Sequence, residues 1–444
     1  EFVHGIAAFD GRARAAGVFV LSGVSSFPVL TAAVLRRISQ TMEIVSVTGG
    51  IAPSPYAGIG INVMRAVLGY AGTPVKLFRN GAESEAIALV ETMRFTVAVP
   101  GRLPLRNTRF SLVDVPDLRE IPPEHPALRD IWMGAGPVPE YLHHLLNLLA
   151  STRAAFGLPS CAPFAGLFHR VMNMMRYGEH RGGMFVHAQG LRDGEPAELT
   201  WNLVAEGDDG PYIPSMAIEA LARKLVDGER PADGARSAIR ALELDDYERL
   251  FENRAIYAVF REPAQPGAPP YRQVLGPALD DLPAPIRAIH DTTRQRSWRG
   301  RARVRRGSGL VAGIIGRLIG FPAASDDVEV SVVMAPERGG ERWTRRFGDR
   351  QFSSFQWPGA GKNECLMMER FGIVTVALAL VVEDGRLHLV PRRWSCLGVP
   401  LPAFLLPRGN SFETVRGDRF CFDVEIAAPL IGLIVAYDGM LEPD

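Results

Sequence analysis

The sequence predicts an α/β or α+β region that opens with the remnant of a doubly wound domain, followed by a mostly antiparallel β barrel or sandwich. Its 444 residues exceed what one hydrophobic core usually supports. Helical and strand patterns alternate to about residue 260, which is typical of α/β and α+β folds. After a proline-rich stretch at 263–270, short strands at close spacing indicate a barrel or sandwich.

The composition is that of a packed globular protein, with 47% hydrophobic and 22% charged residues. The 49 basic and 49 acidic side chains cancel, so no long-range field attracts nucleic acid, and we expect no nucleic-acid partner. Arginine is abundant whereas lysine occurs three times, at Lys76, Lys224 and Lys362. This bias indicates a GC-rich bacterial genome. We expect a cytoplasmic protein, with a membrane-peripheral location as the alternative.

No apolar run is long enough to cross a bilayer, because the longest, Phe371 to Val382, falls short of the roughly 18 residues needed. Its β-branched content predicts a buried strand instead. The first residue is Glu1 rather than Met. We therefore expect the natural start to lie upstream.

The first elements alternate between helix and strand. A helix at Ala7–Ala16 and a strand at Val18–Leu21 read as the last α-β step of a doubly wound domain. Ser25 and Ser26 then precede Pro28 and an apolar-periodic stretch, which predicts a capped helix.

Residues to position 100 continue this alternation. Gly49-Gly50 and Pro53-Ser54-Pro55 predict a rigid loop. The elements predicted around it are a strand at Glu43–Thr48, a helix at Ile59–Tyr70, and strands at Val75–Phe78 and Phe95–Val99.

Leucines, methionines and small residues recur at helical spacing from Val138 to Tyr177. They predict two packed helices with a break near Gly157 to Pro163. Their apolar faces form either a dimer face, and with it a homodimer, or a core layer. A hairpin turning at Asp193-Gly194 follows, since this pair favours tight turns.

Beyond 263–270, a helix is predicted at Leu282–His290 and an almost wholly apolar one at Leu310–Ile319. Asp384-Gly385 predicts a second hairpin. The predicted strands are Val328–Met334, Trp343–Phe347, Leu366–Phe371, Val374–Val382, Arg386–Arg392 and Phe420–Ala427.

Three strings in residues 4 to 260 resemble saccharopine-dehydrogenase-like oxidoreductases of bacteria. They are Leu21-Ser22-Gly23-Val24-Ser25-Ser26-Phe27-Pro28, Gly50-Ile51-Ala52-Pro53-Ser54-Pro55 and Gly210-Pro211-Tyr212-Ile213-Pro214. The part after 270 resembles an uncharacterised domain often fused behind such proteins. The strings that carry this second resemblance are Leu282-Pro283, Glu341-Arg342-Trp343-Thr344-Arg345-Arg346-Phe347-Gly348, Glu369-Arg370-Phe371-Gly372 and Arg392-Arg393-Trp394.

The sequence pattern and the resemblance together predict four segments. These are the remnant of a Rossmann domain at 1–24, an α/β substrate and oligomerisation domain at 25–262, a linker at 263–270 and a β-rich domain of unknown function at 271–444.

The resemblance also implies NAD(P) as the cofactor of the full-length protein. The glycine fingerprint that binds it is missing, because Gly58-Ile59-Gly60 has Val63 where the third glycine belongs. We expect no tightly bound NAD(P) in this chain.

Two loops are candidates for the substrate cleft that the resemblance implies. Gly23, Ser25, Ser26 and Pro28 lie between a strand and a helix, where backbone N–H groups and hydroxyls can meet an anion. Gly210, Pro211 and Tyr212 lie in a loop of the same form. Simple capping and a structural turn are the alternative interpretations.

No other motif predicts catalysis. We identify no catalytic triad around His143, His144, His169 or His187. Cys161, Cys365, Cys396 and Cys421 are spaced too widely for a metal site, so no metal is expected and the cysteines are interpreted as reduced, buried thiols.

The arginines between 294 and 306 are interpreted as a solvated strand face rather than a nucleic-acid patch. With two from a later strand, they offer a rim for an anionic headgroup. The candidate rim residues are Arg301, Arg303, Arg305, Arg345 and Arg346.

Two functions remain open. The first is part of an NAD(P)-dependent oxidoreductase acting on an unknown small-molecule substrate. The second is a non-enzymatic protein whose β domain binds a lipid-like or other apolar ligand, with the helix at Leu310–Ile319 buried so as to close or plug the barrel.

Overall fold

The structure is a computed structural model that describes residues 2–58, 60–136, 140–174 and 177–444. Internal contacts divide the chain into two units, the first formed by 1–97 and 108–263 and the second by 98–107 and 264–444. The stretch 263–270, which the sequence predicts as a linker, lies where the chain passes from the first unit to the second. Its role as a linker stays a prediction.

The first unit contains helices and strands in alternation, which confirms an α/β region. Its strands are β1 (Phe19–Ser22), β2 (Glu43–Ala52), β3 (Pro74–Arg79), β4 (Ala82–Ile87), β5 (Thr92–Val97), β6 (Leu105–Leu112, which begins in 98–107), β7 (Asp130–Ala135), β8 (Arg181–Arg192), β9 (Glu195–Glu206), β10 (Gly234–Ser237) and β11 (Ile256–Arg261). Its helices are α1 (Phe2–Gly5), α2 (Asp10–Ala15), α3 (Thr31–Ser39), α4 (Ile61–Tyr70), α5 (Asp117–Glu120), α6 (Glu140–Phe156), α7 (Ala165–Met174), α8 (Ile213–Val226) and α9 (Leu244–Phe251).

In the described residues the first unit is built on a seven-stranded mixed sheet in the order β11-β9-β8-β2-β7-β6-β5. The β2–β7 pair is parallel, whereas β8 is antiparallel to both β2 and β9. Helices α3, α8 and α9 supply the buried apolar side chains that cover one face. The β8–β9 hairpin turns at Asp193 and Gly194, both with positive φ, which confirms the sequence prediction.

Strand β2 continues through Gly49 and Gly50, so the prediction that a loop begins there is wrong. The missing side chain of Gly50 makes room for two aromatic rings, since a Cβ there would lie 2.6 Å from the Phe185 ring and 2.7 Å from the Phe110 ring. A Cβ on Gly49 would lie 2.8 Å from the Met133 side chain. Both glycines therefore admit close packing of other side chains instead of ending the strand.

Strand β1 pairs in parallel with β10 in a separate two-stranded sheet. The interpretation of residues 1–24 as the end of a Rossmann domain stays a prediction. Helices α6 and α7 match the two predicted between Val138 and Tyr177, although Val138 itself lies outside the described residues. The predicted homodimer stays a prediction.

The second unit is a β barrel with three helices in its described residues. The helices are α10 (Pro270–Leu275), α11 (Ala284–His290) and α12 (Leu310–Ile319). The strands are β12 (Arg296–Arg306), β13 (Ser325–Glu337), β14 (Gly340–Phe347), β15 (Arg350–Pro358), β16 (Met367–Phe371), β17 (Val374–Glu383), β18 (Arg386–Cys396), β19 (Val399–Pro400), β20 (Phe412–Arg416), β21 (Arg419–Ala428) and β22 (Gly432–Pro443).

Ten of these strands, all within the fully described stretch 177–444, close into an antiparallel ring. Their order is β17-β16-β15-β14-β13-β12-β22-β21-β20-β18, and pairing of β18 with β17 closes the ring. Strand β19 pairs only at the end of β18. The sequence prediction of a barrel or sandwich thus resolves to a barrel, in which closure leaves no unpaired edge strand.

The segment 98–107 groups with the barrel although it lies far upstream, which the sequence did not predict. The backbone N–H of Val382 donates to the carbonyl of Gly101 over 2.8 Å. Leu103 packs against a small cluster that includes Leu366 and Ala377. No helix of the described residues is long and apolar enough to cross a membrane.

Candidate functional site

The barrel encloses a cavity of about 340 Å³. Alternating residues of each strand point inward, and most of those around the cavity are apolar. Val330 and Val332 of β13, Val374 and Val376 of β17, and Phe422 of β21 are among them. The volume is within the range of about 300–1,000 Å³ that small-molecule sites occupy.

The two ends of the barrel differ. We call the end that carries α12 and the connections β14–β15, β16–β17, β18–β20 and β21–β22 the α12 end. The opposite end carries the connections β13–β14, β15–β16, β17–β18 and β20–β21. The cavity reaches Ile315 and Ile319 of α12 near one end and Tyr271 of α10 in its interior.

The polar residues of the cavity wall come from α10, from five strands and from the β18–β20 connection. They are Tyr271, Arg345, Gln356, Glu369 and Glu413, with Arg408, Ser411 and Glu425 on the β18–β20 and β21 side. We call the first five the floor cluster. Each of them is buried or nearly so.

Arg345 and Glu369 form the charged centre of the floor cluster. An Arg345 Nη2–H donates to Glu369 Oε1 over 3.3 Å, and Nη1–H donates to the Ser354 hydroxyl over 2.8 Å. That hydroxyl donates in turn to the same Glu369 oxygen over 2.7 Å. The guanidinium also lies 4.8 Å above the centre of the Trp343 ring. The side chains of Arg345 and Glu369 are 12% and 8% exposed, so this is a nearly dry ion pair.

Tyr271 contributes to the floor cluster a hydroxyl without a hydrogen-bond partner among the described residues. Its ring stacks on His290 with the ring centres 3.7 Å apart. Burial raises the pKa of Tyr271 well above its usual range, and the nearby Glu413 and Glu369 carboxylates add to the shift. No described residue bonds the Tyr271 hydroxyl or the Gln356 side-chain oxygen. Two residues that line the cavity therefore each hold one buried polar atom without a partner in the described part of the chain.

The other carboxylates near the floor also have hydrogen-bond partners. His290 Nε2 and Glu413 Oε2 lie 2.5 Å apart, and both side chains are buried. Beside them, Arg296 donates to Glu341 over 3.0 Å, and the Trp343 indole N–H donates to the other Glu341 oxygen over 2.6 Å. Because Glu369 and Glu341 pair with arginines and Glu413 is hydrogen-bonded to His290, the floor suits a polar group that is uncharged.

The five arginines predicted as an anionic rim lie in different places. Arg345 lies inside the barrel, in the floor cluster. Arg301 and Arg303 project from the outer wall, where they pair with Asp327 and Asp326. Arg305 and Arg346 are exposed, and Arg346 Nε–H donates to the carbonyl of Gly348 over 3.0 Å. Binding of an anionic headgroup by this set stays a prediction.

Helix α12 buries only part of its apolar surface. Ala312 and Gly316 are buried, whereas Leu310 and Leu318 are 83% and 82% exposed. The expectation that this helix must be wholly buried is wrong, because its i, i+4 spacing divides the apolar residues between an inward and an outward stripe.

The first candidate loop of the predicted cleft contains Gly23, Ser25, Ser26 and Pro28. Gly23 has a φ of +72°, and Ser25 is extended without capping the following turn through its side chain. Ser26 and Pro28 are buried in that turn. The predicted Ser25 cap is therefore wrong, since the Ser25 hydroxyl makes no capping hydrogen bond.

The second candidate loop, Gly210, Pro211 and Tyr212, ends a short 3-10 turn that leads into α8. Tyr212 is 52% exposed, and the Arg254 guanidinium lies 5.2 Å from its ring centre. Helix α8 packs on the turn at 26–30. A shared cleft formed by these two loops stays a prediction.

A buried serine and histidine pair lies elsewhere in the first unit. Ser111 Oγ is 2.6 Å from His143 Nε2, and Asn147 donates to the same hydroxyl over 2.7 Å. Burial and the charge of Arg109 lower the pKa of His143 to about 4. Ser111 and His143 are 0% and 1% exposed, so a substrate has no access and we interpret the group as a buried polar network.

Metal binding finds no support in the described part of the chain, where no three His, Cys, Asp or Glu side chains gather as ligands. All four cysteines are reduced thiols. Cys421 is buried but Cys161, Cys365 and Cys396 are partly exposed. The interpretation of all four as buried thiols is therefore wrong for three of them.

Residues 282–441 match the family described as Domain of unknown function (DUF4166). The matched range begins just before α11 and takes in the ten strands of the barrel. It includes Arg345, Gln356, Glu369 and Glu413 of the floor cluster but not Tyr271. A search of curated proteins found no match to the chain.

Proposed function

We propose that the barrel binds a single-chain, lipid-like molecule whose apolar tail lies along the cavity and whose uncharged polar group meets the floor cluster. The observation that carries this proposal is an apolar cavity whose lining includes Tyr271 and Gln356, each with a buried polar atom that has no partner among the described residues. Buried polar groups without partners are costly, and a ligand hydroxyl, carbonyl or amide would pair with both. Because the charges of Arg345 and Glu369 satisfy each other, we expect a fatty alcohol or amide to bind better than a fatty acid.

Filling the cavity should abolish binding. Val332 points inward and lines the cavity, whereas Val333, the next residue of β13, lies outside that lining. We expect Val332→Trp to weaken binding of an apolar fluorescent probe at least about tenfold, since tryptophan occupies the space of the tail, while Val333→Trp binds like the wild type. The measurement is a fluorescence titration of the full chain.

The preference for an uncharged polar group on the ligand can be tested in the same assay. The probe is displaced with a fatty alcohol, with the fatty acid of equal length and with the parent alkane. Tyr271→Phe should weaken the alcohol about tenfold, the loss of one hydrogen bond of roughly 1.5 kcal/mol, and leave the alkane unchanged. If Val332→Trp binds the probe as tightly as the wild type, the ligand does not lie in the barrel and the proposal is wrong.

A second proposal concerns residues 4 to 260, whose three strings resemble saccharopine-dehydrogenase-like oxidoreductases. We propose that this unit shapes the substrate pocket and oligomer contact of an NAD(P)-dependent enzyme in a bacterial cytoplasm. Its support is the resemblance and the mixed α/β architecture of the first unit. The cofactor would then require a glycine fingerprint that the sequence of this chain lacks.

This second proposal predicts that the chain binds NAD(P) weakly or not at all. The phosphate-binding turn of such enzymes combines glycines with a helix N-terminus. In the tempting triplet Gly58-Ile59-Gly60, Ile59 lies outside the described residues. Calorimetry with both cofactors is the measurement, with the apolar probe as the control for folded protein. Micromolar or tighter binding would show that another part of the chain holds the cofactor.

A further inference from the structure

The α12 end of the barrel exposes an unusual amount of apolar surface. Helix α12 directs Leu310, Ile314 and Leu318 outward at i, i+4 spacing, with Val311 beside them. The other connections at the same end add exposed side chains, which are Ile373, Leu397, Val399, Phe404 and Leu430. Leu430 is 98% exposed. Contiguous apolar exposure of this kind marks a surface that binds something.

The charge of this end points to an anionic partner. The connections 307–324, 372–373, 397–411 and 429–431 contain no aspartate or glutamate. Arg317 and Arg408 lie in them, and Arg346 and Arg350 flank the β14–β15 turn, where Asp349 is the acidic residue. All four arginines are exposed. Asp326 and Asp327, just after 307–324, are paired with Arg303 and Arg301. The end thus combines protruding apolar residues with an excess of positive charge.

The opposite end has none of these properties. Its connections 338–339, 359–366, 384–385 and 417–418 contain two basic and three acidic residues, which are Arg338, Lys362, Glu364, Asp384 and Asp418. No large apolar residue of those four connections is among the exposed ones in this fully described part of the chain. The asymmetry means that the apolar surface belongs to one end rather than to the barrel as a whole.

The apolar surface is also continuous with the cavity. Ile315 and Ile319 of α12 line the cavity, while Ile314 and Leu318, the neighbouring residues of the same helix, face outward. A molecule that enters beside α12 would pass from an apolar exterior to an apolar interior. This continuity favours a membrane rather than a protein as the partner of the α12 end, because a membrane would also supply the lipid-like ligand of the cavity.

We propose that the α12 end docks on the surface of a membrane that contains anionic lipid, with Leu310, Ile314 and Leu318 inserted among the acyl chains and the arginines at the headgroups. This inference rests on the proposed lipid-like ligand of the barrel. An amphipathic helix in this position binds by its buried apolar area and by attraction to anionic lipid. Each juxtamembrane arginine adds to that attraction, and salt screens it.

Flotation of the full chain with vesicles tests the proposal. The vesicles contain equal parts of phosphatidylcholine and phosphatidylglycerol, with pure phosphatidylcholine for comparison. We expect the wild type to float with the mixed vesicles and less with the neutral ones. Leu310→Glu combined with Leu318→Glu should lower the partition coefficient at least about a hundredfold, because losing the burial of one leucine costs about tenfold or more.

The matched control is Ile218→Glu combined with Val226→Glu. These two residues of α8 are 59% and 87% exposed, they have the same i, i+8 spacing as Leu310 and Leu318, and their replacement changes the net charge equally. The control pair should float like the wild type. A wild type that does not float, or flotation lost in the control pair and kept in the α12 pair, overturns the proposal.

The outcome can be separated from that of the ligand proposal by titrating the apolar probe without vesicles. Both variant pairs should bind the probe like the wild type, which also shows that they fold. If the probe does not bind the wild type but flotation depends on α12, ligand binding is wrong and docking stands. If the probe binds and flotation is independent of α12, docking alone is wrong.

Discussion

Arg345→Met should lower the free energy of unfolding of the barrel by about 3–5 kcal/mol, the usual cost of removing one partner of a buried ion pair. The variant leaves the Glu369 carboxylate, 8% exposed, with only the Ser354 hydroxyl as a donor. The side chain of methionine has a similar length and keeps the contact with Trp343, so the lost charge dominates the effect. Urea unfolding followed by tryptophan fluorescence measures it.

The double variant Arg345→Met with Glu369→Leu provides the control. Replacing a whole buried pair by apolar residues of similar volume is often neutral or stabilising, so the double variant should be more stable than Arg345→Met alone. An exposed substitution in the same strand, Arg346→Met, should change the unfolding free energy by less than about 0.5 kcal/mol. If the double variant is the least stable protein, packing rather than an unpaired charge explains the loss.

The position of Arg345 inside the barrel could be predicted from the sequence. Glu341, Trp343, Arg345 and Phe347 alternate along β14, and three of the four are buried, with Arg345 nearly so. Strand periodicity therefore places Arg345 on the inner face with Trp343, and Arg346 on the outer face. Grouping the two arginines in one rim overlooked this parity, which was readable from the sequence.

Other parts of the site were beyond sequence reasoning. His290 and Glu413 are separated by 123 positions, and neither lies in a motif that links α11 to β20. Tyr271 meets the cavity because α10 packs on β15 and β16. The association of 98–107 with the barrel depends on contacts such as Val382 to Gly101. Each of these follows from tertiary packing between distant segments.

Short sequence motifs predicted the two hairpin turns correctly. Asp193-Gly194 and Asp384-Gly385 each place two residues at positive φ, the geometry that such pairs favour in tight hairpins. Gly49-Gly50 shows the limit of the same reasoning, because a glycine pair marks a close approach of other groups as readily as a turn. Only the positions of Phe110, Phe185 and Met133 distinguish the two.

Asp117→Asn should change the pH dependence of stability of the first unit. Asp117 is fully buried, and burial raises its pKa from the ordinary 3.8 to about 7. Between these values the folded protein keeps a proton that the unfolded chain has lost, so stability falls as the pH rises. The slope is about 1.4 kcal/mol for each pH unit, which amounts to about 4 kcal/mol between pH 4 and pH 7.

Asparagine carries no titrating proton, so the variant lacks this slope. We expect the difference in unfolding free energy between the variant and the wild type to shift in favour of the variant by about 3 kcal/mol from pH 5 to pH 8. Urea unfolding at both pH values measures it. Asp114→Asn is the control, because Asp114 lies three residues away but is exposed, and its difference should stay constant. A constant difference for Asp117→Asn as well would mean that Asp117 ionises in the folded protein at an ordinary pH, because water or a rearranged Thr31 hydroxyl solvates it.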